Sequence, residues 1–469
     1  MSKETENDDS MDIDAIKSVY FVGAGGIGMS ALVRYFLSQG KMVAGYDRTA
    51  SELTERLNAE GAAIHYEDNV NLIPEACKEV AHTLVVYTPA VPQTHSELVW
   101  FREQGFEIQK RAQVLGTITR SRRGLCVAGT HGKTTTSSMA AHLVYASHVG
   151  ATAFLGGISQ NYGSNLLLTD KSDYVVIEAD EYDRSFHQLL PYITVITSTD
   201  PDHLDIYGTP EAYWESFEIY TSLIQQGGTL IIHEGLEIAP RVKEGVRVLT
   251  YSRDKGDFHA ENVRIGGGEI VFDFVHPDGV VRDISLGVPL SVNIDNGIAA
   301  MAMAQLVGVT DEELREGMAS FRGVERRFDF KLKTDDKVFL SDYAHHPAEI
   351  RQSALSIREL YAGRKVTAIF QPHLYSRTQD FYREFADSLS LFDEVILTNI
   401  YPAREEPIPG VTSALIYDNL APKVKKQMIN REEVLATVKA KKEELEVLVT
   451  LGAGDIENFA NEITSILTC

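Results

Sequence analysis

The chain has 469 residues, which predicts two to four domains at roughly 100–200 residues each. Hydrophobic residues make up 44% and charged residues 24%, as in ordinary globular proteins, and the formal net charge is −23. This acidity argues against nucleic acid as a partner, and no run of about 18 apolar residues predicts membrane insertion.

The first 13 residues are polar and acidic, and they lack the apolar segment of a signal peptide. We predict a disordered tail. The three cysteines, Cys77, Cys126 and Cys469, show neither metal-ligand spacing nor a disulfide pattern. Their sparse use favours a reducing compartment, and we expect a cytoplasmic protein.

A strand, a glycine turn, a helix and a second strand follow in "KSVYFVGAGGIGMSALVRYFLSQGKMVAGYD". Gly23, Gly25 and Gly28 have the spacing G-x-G-x-x-G, and Asp47 ends the second strand. Such a loop brings backbone amides and a helix N-terminus close to a diphosphate. Three interpretations stay open: a tight turn without a ligand, a nicotinamide dinucleotide, or a UDP-sugar.

A second strand, loop and helix begin near residue 121, with "LCVAGTHGKTTTSSMAAHL". The loop from Gly129 to Thr134 is similar to a P-loop but shorter, since Val127 stands where the first glycine is expected. Lys133 could reach the β- and γ-phosphates of a nucleotide, and Thr134 could hold Mg²⁺. The alternative is a loop without a ligand.

Two later strands end in polar residues. The strand in "DYVVIEADEYDRS" ends at Glu178, and three more acidic residues follow it. The strand in "ITVITSTDPDHLDIYG" is followed by His203. Ligands of α/β sheets bind at the carboxyl ends of strands, so Glu178 is a candidate Mg²⁺ ligand. We expect the two strand ends to be neighbours and to converge on one phosphate–metal site. A solvated acidic turn and a structural histidine are the alternatives.

The remaining chain predicts further α/β structure. "GGGEIVFDFVHPDGVVRDISL" is typical of a hairpin, and "DNGIAAMAMAQLVG" of a helix. Strands at "KVFLSDYA", "KVTAIFQPH", "DEVILTNIYPA" and "EVLVTLGAGD" alternate with helical segments. The predicted fold is α/β with three domains: residues 14–120, Rossmann-like; residues 121–328, a P-loop ATPase type; and residues 329–469, again Rossmann-like.

Several motifs together resemble the Mur ligase family, whose three-domain members build the peptide of bacterial peptidoglycan. "GTHGKTTT", "EADEYD" and "DPDHLDIY" look like the family's central ATPase domain. "GAGGIGMSAL", "FRGVERRF", "DYAHHPAEI", "FQPHLYSRT", "IYPAREEPIPG" and "GAGDI" are similar to the members that join L-alanine to UDP-N-acetylmuramate. The resemblance covers nearly the whole chain. It implies that one loop holds the UDP of the substrate and the other holds ATP, with no need for a nicotinamide cofactor.

The resemblance also implies a role for individual residues. The UDP-sugar would be bound by Gly23, Ala24, Gly25, Gly26, Ile27, Gly28 and Asp47. ATP would be bound by Gly129, Thr130, His131, Gly132, Lys133, Thr134, Thr135, Asn293, Asn296, Arg326 and Asp342. Lys133, Glu178, His203 and Arg327 would be catalytic, with Mg²⁺ held by Thr134, Glu178 and His203. L-Alanine would be bound by His346, His373 and Arg377, and the enzyme would be a monomer or weak dimer.

The chain departs from the family pattern at three positions. Val292 replaces a usual histidine before Asn293, Leu374 replaces an arginine that often follows the histidine of "FQPH", and Arg404 replaces a usual glycine. Some family members also support a second Mg²⁺ with a carbamylated lysine. Residues 204–226 contain no lysine but offer Glu211, Glu215 and Glu218, and Glu218 falls about where that lysine would be.

Three other functions remain to be compared. A murein tripeptide ligase shares "GTHGKTTT" and the UDP-sugar but differs from "GAGGIGMSAL" and "FQPHLYSRT". A nicotinamide-dependent oxidoreductase would explain the first glycine loop and leave Lys133, Glu178 and His203 without a role. A nucleotide-binding switch without catalysis would not explain three domains.

Overall fold

The computed structural model describes residues 15–88, 90–325, 328–403 and 405–468, without the side chain of Asp205. These residues form two compact units, residues 15–259 with 296–317 and residues 260–295 with 318–468. Both are α/β, in agreement with the predicted fold class. No helix in the described part of the chain is long and apolar enough to cross a bilayer.

The first unit begins with a parallel five-stranded sheet of order β3-β2-β1-β4-β5. Its strands are β1 (Ser18–Val22), β2 (Met42–Tyr46), β3 (Ala63–His65), β4 (Thr83–Tyr87) and β5 (Glu107–Lys110). Its helices are α1 (Ile27–Ser38), α2 (Glu52–Ala59), α3 (Ser96–Glu103) and α4 (Arg111–Ser121). Strand β1 is buried along its whole length, as expected for a central parallel strand. Because β2 and β4 flank β1, the sheet reverses its order beside the first glycine loop, where such sheets bind ligands.

A seven-stranded sheet of order β12-β11-β10-β6-β9-β7-β8 completes the first unit. Its strands are β6 (Arg123–Ala128), β7 (Thr152–Ser159), β8 (Ser164–Leu167), β9 (Tyr174–Glu178), β10 (Pro191–Ile196), β11 (Thr229–His233) and β12 (Arg247–Tyr251). The helices are α5 (Lys133–Ala146), α6 (Leu204–Tyr207), α7 (Pro210–Thr221), α8 (Val292–Leu306) and α9 (Asp311–Ser320), the last two lying mostly in this unit. Only β8 runs antiparallel to its neighbour, β7.

One cluster of buried apolar side chains extends from the first sheet to the second. Helix α1 joins them, since it packs against β1 and also against β7 and β8. The rings of Tyr35 and Phe154 lie 5.3 Å apart, and Arg34 Nη1 donates to Asn165 Oδ1 at 2.6 Å. The first unit therefore contains the first predicted domain and most of the second, whereas residues 260–295 and 318–328 of the second predicted domain lie in the other unit. The boundary near residue 120 stays a prediction.

The second unit contains a three-stranded and a six-stranded sheet. The small sheet is formed by β13 (His259–Gly266), β14 (Glu269–His276) and β15 (Gly279–Ser285). Strands β14 and β15 pair in antiparallel fashion, with His276 opposite Gly279, which confirms the predicted hairpin.

The six-stranded sheet has the order β16-β17-β21-β18-β19-β20 and is parallel except for β16. Its strands are β16 (Asp329–Lys333), β17 (Val338–Asp342), β18 (Val366–Phe370), β19 (Glu394–Leu397), β20 (Lys425–Met428) and β21 (Val447–Leu451). The accompanying helices are α10 (Pro347–Leu360), α11 (Tyr375–Leu389), α12 (Ala414–Asn419), α13 (Val434–Lys441) and α14 (Ala460–Thr468). The carboxyl ends of these parallel strands bring the later sequence motifs to one edge of the sheet.

Candidate active site

The second glycine loop joins β6 to α5 and is held by the segment after β10. Thr130 N and His131 N donate to the backbone oxygen and the hydroxyl of Ser198, at 3.2 and 2.8 Å. Thr130 Oγ1 lies 2.7 Å from Tyr213 Oη. Gly132, with φ of 81°, caps α5 in a left-handed conformation that most side chains disfavour. The loop is therefore fixed at a helix N-terminus, which favours an anion.

Lys133 points back across this loop. Its Nζ donates to Gly129 O at 2.7 Å and lies 2.8 and 2.7 Å from the two carboxylate oxygens of Glu181. The side chain of Glu181 is 2% exposed, and burial raises its pKa, while the Lys133 cation opposes that rise. The sequence motif "EADEYD" contains Glu181, but sequence reasoning gave it no role; its contact with the loop lysine is a tertiary result.

Glu178 lies beside the loop, as the sequence predicts. Strand β9 pairs with β6, with Glu178 opposite Val127, and Thr134 Oγ1 donates to Glu178 Oε1 at 3.2 Å. The backbone of β7 passes close by, because a Cβ added to Gly156 would overlap Glu178 Oε2. The structure thus joins a threonine hydroxyl and a carboxylate at the start of α5.

The predicted adjacency of the strands leading to Glu178 and His203 is wrong. Strands β9 and β10 flank β6 on opposite sides and do not pair with each other. His203 lies beyond the end of β10, at the N-terminus of α6, with φ of 53°. Its ring makes an edge contact with Tyr182, at 4.9 Å between centroids, and its Nε2 lies 3.6 Å from Asp202 Oδ2.

Glu218, the carboxylate suggested for a second metal, already accepts hydrogen bonds from other residues of the chain. Glu218 Oε2 accepts from Arg241 Nη2 at 2.7 Å, and its Oε1 accepts from Ala239 N at 3.0 Å. Glu215 also faces Arg241, at 3.7 Å. Within the described residues, no group of three His, Cys, Asp or Glu side chains is arranged to hold a metal ion. Mg²⁺ commonly uses one or two protein carboxylates together with water and phosphate, so this does not conflict with Thr134 and Glu178 as ligands.

The first glycine loop is tied to β2. Gly23 N and Ala24 N donate to Tyr46 O at 2.8 and 3.0 Å, and Gly25 N donates to Asp47 Oδ2 at 2.6 Å. Gly26 caps α1, which begins at Ile27. In this structure Asp47 therefore holds the loop itself, and the Gly25 amide is bound to a carboxylate.

A cavity of about 260 Å³ within the first unit extends from the first glycine loop to the end of β9. Gly26 and Gly28 line it on the side of the first glycine loop, and Glu178 lines it on the side of β9. Arg111, at the start of α4, also lines it, 3.8 Å from Asp180 Oδ2. Sequence reasoning noted the basic stretch containing Arg111 but assigned it no role.

Asn296 lies against the second glycine loop. Thr136 Oγ1 donates to Asn296 Oδ1 at 3.1 Å, and a Cβ on Gly132 would come within 2.7 Å of the same oxygen. Asn293 Nδ2 donates to Val288 O at 3.0 Å and so supports the turn before α8. Val292, at the histidine position of the family pattern, is 40% exposed.

Asp342 ends β17 and is bound within its own unit. The Ser353 hydroxyl donates to one carboxylate oxygen, and Phe328 N and Ala344 N lie 3.4 Å from the other. Burial raises the pKa of Asp342. These bonds hold the segment that leads to His345 and His346.

The candidate residues for L-alanine gather at the carboxyl edge of the six-stranded sheet. The rings of His345 and His373 lie 6.0 Å apart, and His373 stacks on Tyr401 at 5.7 Å. Burial lowers the pKa of His373, and Arg377 adds to this effect. Arg377 Nη1 is buried and has no hydrogen-bond partner among the residues described.

The structure describes some, but not all, of the remaining predicted site residues and of the positions that differ from the family pattern. Leu374 has φ of 71°, a rare conformation for a leucine, and its N–H donates to Tyr401 O at 3.0 Å. His346 caps α10, and its ring lies 5.1 Å from that of Phe381. The predicted sites Arg326 and Arg327, the departure Arg404, Cys469 and the N-terminal tail lie outside the described residues.

Three family models match consecutive parts of the chain. They are the Mur ligase family catalytic domain at residues 18–123, the Mur ligase middle domain at 127–304, and the Mur ligase glutamate ligase domain at 326–454. A UDP-N-acetylmuramate–L-alanine ligase of Phocaeicola vulgatus is 67% identical over 97% of this chain and 99% of its own length. The chain belongs to the Mur ligase family. The enzyme of the same name from Porphyromonas gingivalis is 52% identical over 96% of this chain and 99% of its own.

Solved Mur ligase structures agree with the fold. The UDP-N-acetylmuramate–alanine ligase of Thermotoga maritima has a TM-score of 0.79 at 27% identity, covering 96% of this chain and 98% of that protein. A murein peptide ligase of Psychrobacter arcticus reaches a TM-score of 0.64 at 20% identity, over 96% and 98% of the two chains. At that identity it supports the shared Mur ligase fold only.

Proposed function

We propose that this chain is an ATP-dependent ligase that joins L-alanine to the lactyl carboxylate of UDP-N-acetylmuramate, a step of peptidoglycan precursor synthesis. The observation that carries the proposal is the 67% identity, over 97% of the chain, to a relative named for that reaction. The cavity between the first glycine loop and Glu178 supports it, because this reaction needs a UDP-sugar and ATP to meet.

The chemistry has two steps. A lactyl carboxylate oxygen attacks the γ-phosphorus of ATP, the bond to the bridging oxygen breaks, and ADP leaves with an acyl phosphate remaining. The amine of L-alanine then attacks the acyl carbon, loses a proton, and expels inorganic phosphate as the amide forms. Phosphoryl transfer of this kind depends mainly on positioning and charge neutralisation.

The second glycine loop is suited to the ATP phosphates. The amides at the N-terminus of α5 would face the phosphates, while the Thr130 and His131 amides hold the loop to Ser198. Asn296 supports the loop from α8. Lys133 would exchange its contact with Glu181, or share it, to neutralise the β- and γ-phosphate oxygens. We assign Lys133 the central catalytic role on this geometry.

Thr134 and Glu178 fit a Mg²⁺ ion. Both present oxygen atoms, which Mg²⁺ prefers, and these oxygens are 3.2 Å apart at the end of β9. When bound, the ion would neutralise charge on the phosphates and the attacking carboxylate. His203 would at most be a weak ligand, since an imidazole suits softer metals better.

The edge formed by His346, His373 and Arg377 is our candidate for the amino-acid site. The buried Arg377 Nη1, which lacks a partner among the described residues, offers a donor for the carboxylate of L-alanine. The lowered pKa of His373 keeps this imidazole neutral near pH 7, so that it can accept or donate a hydrogen bond.

Several parts of the proposal rest on resemblance to the family. These are the closing roles of Arg326 and Arg327, the contact of Asp342 with ATP, the domain boundaries at 120 and 328, and a monomeric or weakly dimeric state. A cytoplasmic, reducing location is also proposed; the thiols of Cys77 and Cys126 are buried and free, as such a compartment allows.

The test is release of phosphate from ATP, measured with each substrate omitted in turn. We expect release only when UDP-N-acetylmuramate and L-alanine are both present, with a stoichiometric amide product by mass spectrometry. Substituting a murein tripeptide for L-alanine tests the tripeptide ligase alternative, and nicotinamide absorbance tests the oxidoreductase. Release that does not depend on L-alanine, or that prefers the tripeptide, would overturn the proposal.

A further inference from the structure

The two glycine loops differ in their cations. The loop of the second sheet carries its own lysine, Lys133, whereas residues 23–28 of the first loop contain neither lysine nor arginine. The Gly25 amide of that loop is bound to Asp47 Oδ2 at 2.6 Å. In a chain with a net charge of −23, a diphosphate at this loop needs a cation from elsewhere in the fold.

Arg111 is in position to supply it. Of the described residues that line the 260 Å³ cavity, Arg111 alone is basic, and it shares the cavity with Glu178 and Asp180. It is the first residue of α4, and Lys110 N donates to Gln113 Oε1 at 2.7 Å, which fixes the start of that helix. The guanidinium is therefore attached to a rigid element.

The guanidinium lies against the first turn of α1. A Cβ added to Gly28 would come within 3.0 Å of Arg111 Nη1 and 3.1 Å of its Cδ and Cζ. The third glycine of the fingerprint thus allows the arginine to approach the helix N-terminus, in addition to any role in approaching the ligand. Nη2 lies 3.8 Å from Asp180 Oδ2, too far for a strong hydrogen bond, so its donors can turn to an anion.

We propose that Arg111 is a binding residue for the diphosphate of the UDP-sugar, which it would hold by two parallel hydrogen bonds beside the N-terminus of α1. This inference rests on the proposed function for the identity of the UDP-sugar. A guanidinium matches two phosphate oxygens in a planar fork that a lysine cannot reproduce. Arg111 also lies on the path from the first glycine loop to Glu178, so it aligns the substrate along that path.

The experiment measures binding of UDP, uridine and UDP-N-acetylmuramate to the full chain by calorimetry, for the parental protein and for Arg111→Ala and Arg111→Lys. We expect Arg111→Ala to weaken UDP about ten- to a hundredfold, the range for lost charged hydrogen bonds. Arg111→Lys should give a smaller loss, and uridine affinity should not change. Arg56→Ala, an exposed arginine that pairs with Glu52, is the matched control and should bind UDP normally.

The other results are decisive as well. UDP affinity within twofold of the parental value in Arg111→Ala overturns the inference. Loss of UDP-N-acetylmuramate affinity with normal UDP affinity also overturns it, since the contact would then be to the lactyl carboxylate. If Arg111→Ala does not fold, judged by its melting curve and by ATP binding, Arg111→Lys decides by the same UDP-to-uridine comparison. Failure of the parental protein to bind UDP at all would instead refute the UDP-sugar in the proposed function.

Discussion

Lys133 and Glu181 form an ion pair, and we expect removal of Lys133 to lower the free energy of unfolding more than removal of Glu181. The Glu181 side chain is 2% exposed, whereas that of Lys133 is 14% exposed and keeps a 2.7 Å bond to Gly129 O. Lys133→Ala would leave a buried carboxylate without its cation, at a cost of about 3–5 kcal/mol. Glu181→Gln would leave a lysine that can still reach a carbonyl oxygen and water, so we expect a loss below about 3 kcal/mol.

These free energies convert to melting temperatures. At about 2–4 °C per kcal/mol for a large domain, Lys133→Ala should melt at least about 6 °C below the parental protein at pH 8. The control is Lys110→Ala, whose partner Asp183 is 3.5 Å away and whose side chain is 43% exposed. Loss of such an exposed pair should cost less than about 1 kcal/mol. Calorimetry without nucleotide measures all three variants.

The deficit should also depend on pH. Burial raises the pKa of Glu181 above the ordinary value of 4.5, and removing Lys133 raises it further. The folded state then holds the proton more tightly than the unfolded state, so stability falls as pH rises from about 4.5 through the raised pKa. The melting temperature of Lys133→Ala should therefore fall further below that of the parental protein at pH 8 than at pH 5.5. The double variant Lys133→Ala with Glu181→Gln should not show this dependence on pH. A deficit of about 1 °C or less, or one that does not change with pH, would refute this account.

Three further predictions concern the metal and the amino acid. Gly156→Ala should push the Glu178 carboxylate aside and raise the Mg²⁺ concentration for half-maximal rate several-fold, as a magnesium titration of the rate will measure. His203→Ala should raise that Mg²⁺ concentration slightly, and an unchanged Mg²⁺ titration would make His203 a structural residue. Activity of the parental protein should not depend on bicarbonate, because residues 204–226 contain no lysine to carbamylate. Arg377→Ala should raise the KM for L-alanine far more than that for ATP and should raise the pKa of His373 in an NMR titration, because a neighbouring cation is removed.

Control variants and specific kinetic outcomes distinguish these predicted effects from a general loss of stability. Gly279→Ala is the control for the glycine variant, because a Cβ there would make only ordinary contacts, at 3.7 Å from His276. An Arg377→Ala enzyme with unchanged alanine kinetics would place the amino-acid site elsewhere. Normal Mg²⁺ dependence in the Gly156 variant would contradict the role of Glu178 as a ligand.

The local signals in the sequence predicted most of the phosphate-binding elements. A glycine loop after an apolar strand and before a helix is a short-range pattern, so Gly132, Lys133 and Thr134 could be placed at a helix start without tertiary information. Glu178 could be placed at a strand end for the same reason, and the structure brings it to Thr134. The hairpin at residues 269–285 was equally local, since alternating residues around a turn are sufficient to predict it.

The order of strands in a sheet could not be predicted in this way. The sequence shows that β9 and β10 follow each other, but only pairing energies over the whole sheet decide that both flank β6. His203 was for that reason wrongly expected beside Glu178. The same limit applies to Glu218. The sequence offered it as a metal ligand, but in the structure Arg241 Nη2 lies 2.7 Å from its carboxylate.

The sequence by itself determined the α/β class, the two glycine loops, the motifs that resemble the Mur ligases, and the strand-end carboxylate. These depend on residues within about one helix or strand of each other, where backbone preference and hydrophobic period act directly. Only the tertiary structure decided that Glu181 holds Lys133, that Asp47 binds the Gly25 amide, and that Arg111 lies across Gly28. Those contacts join segments that are distant in the chain, so they exist only after the sheets have ordered their strands and shared one core.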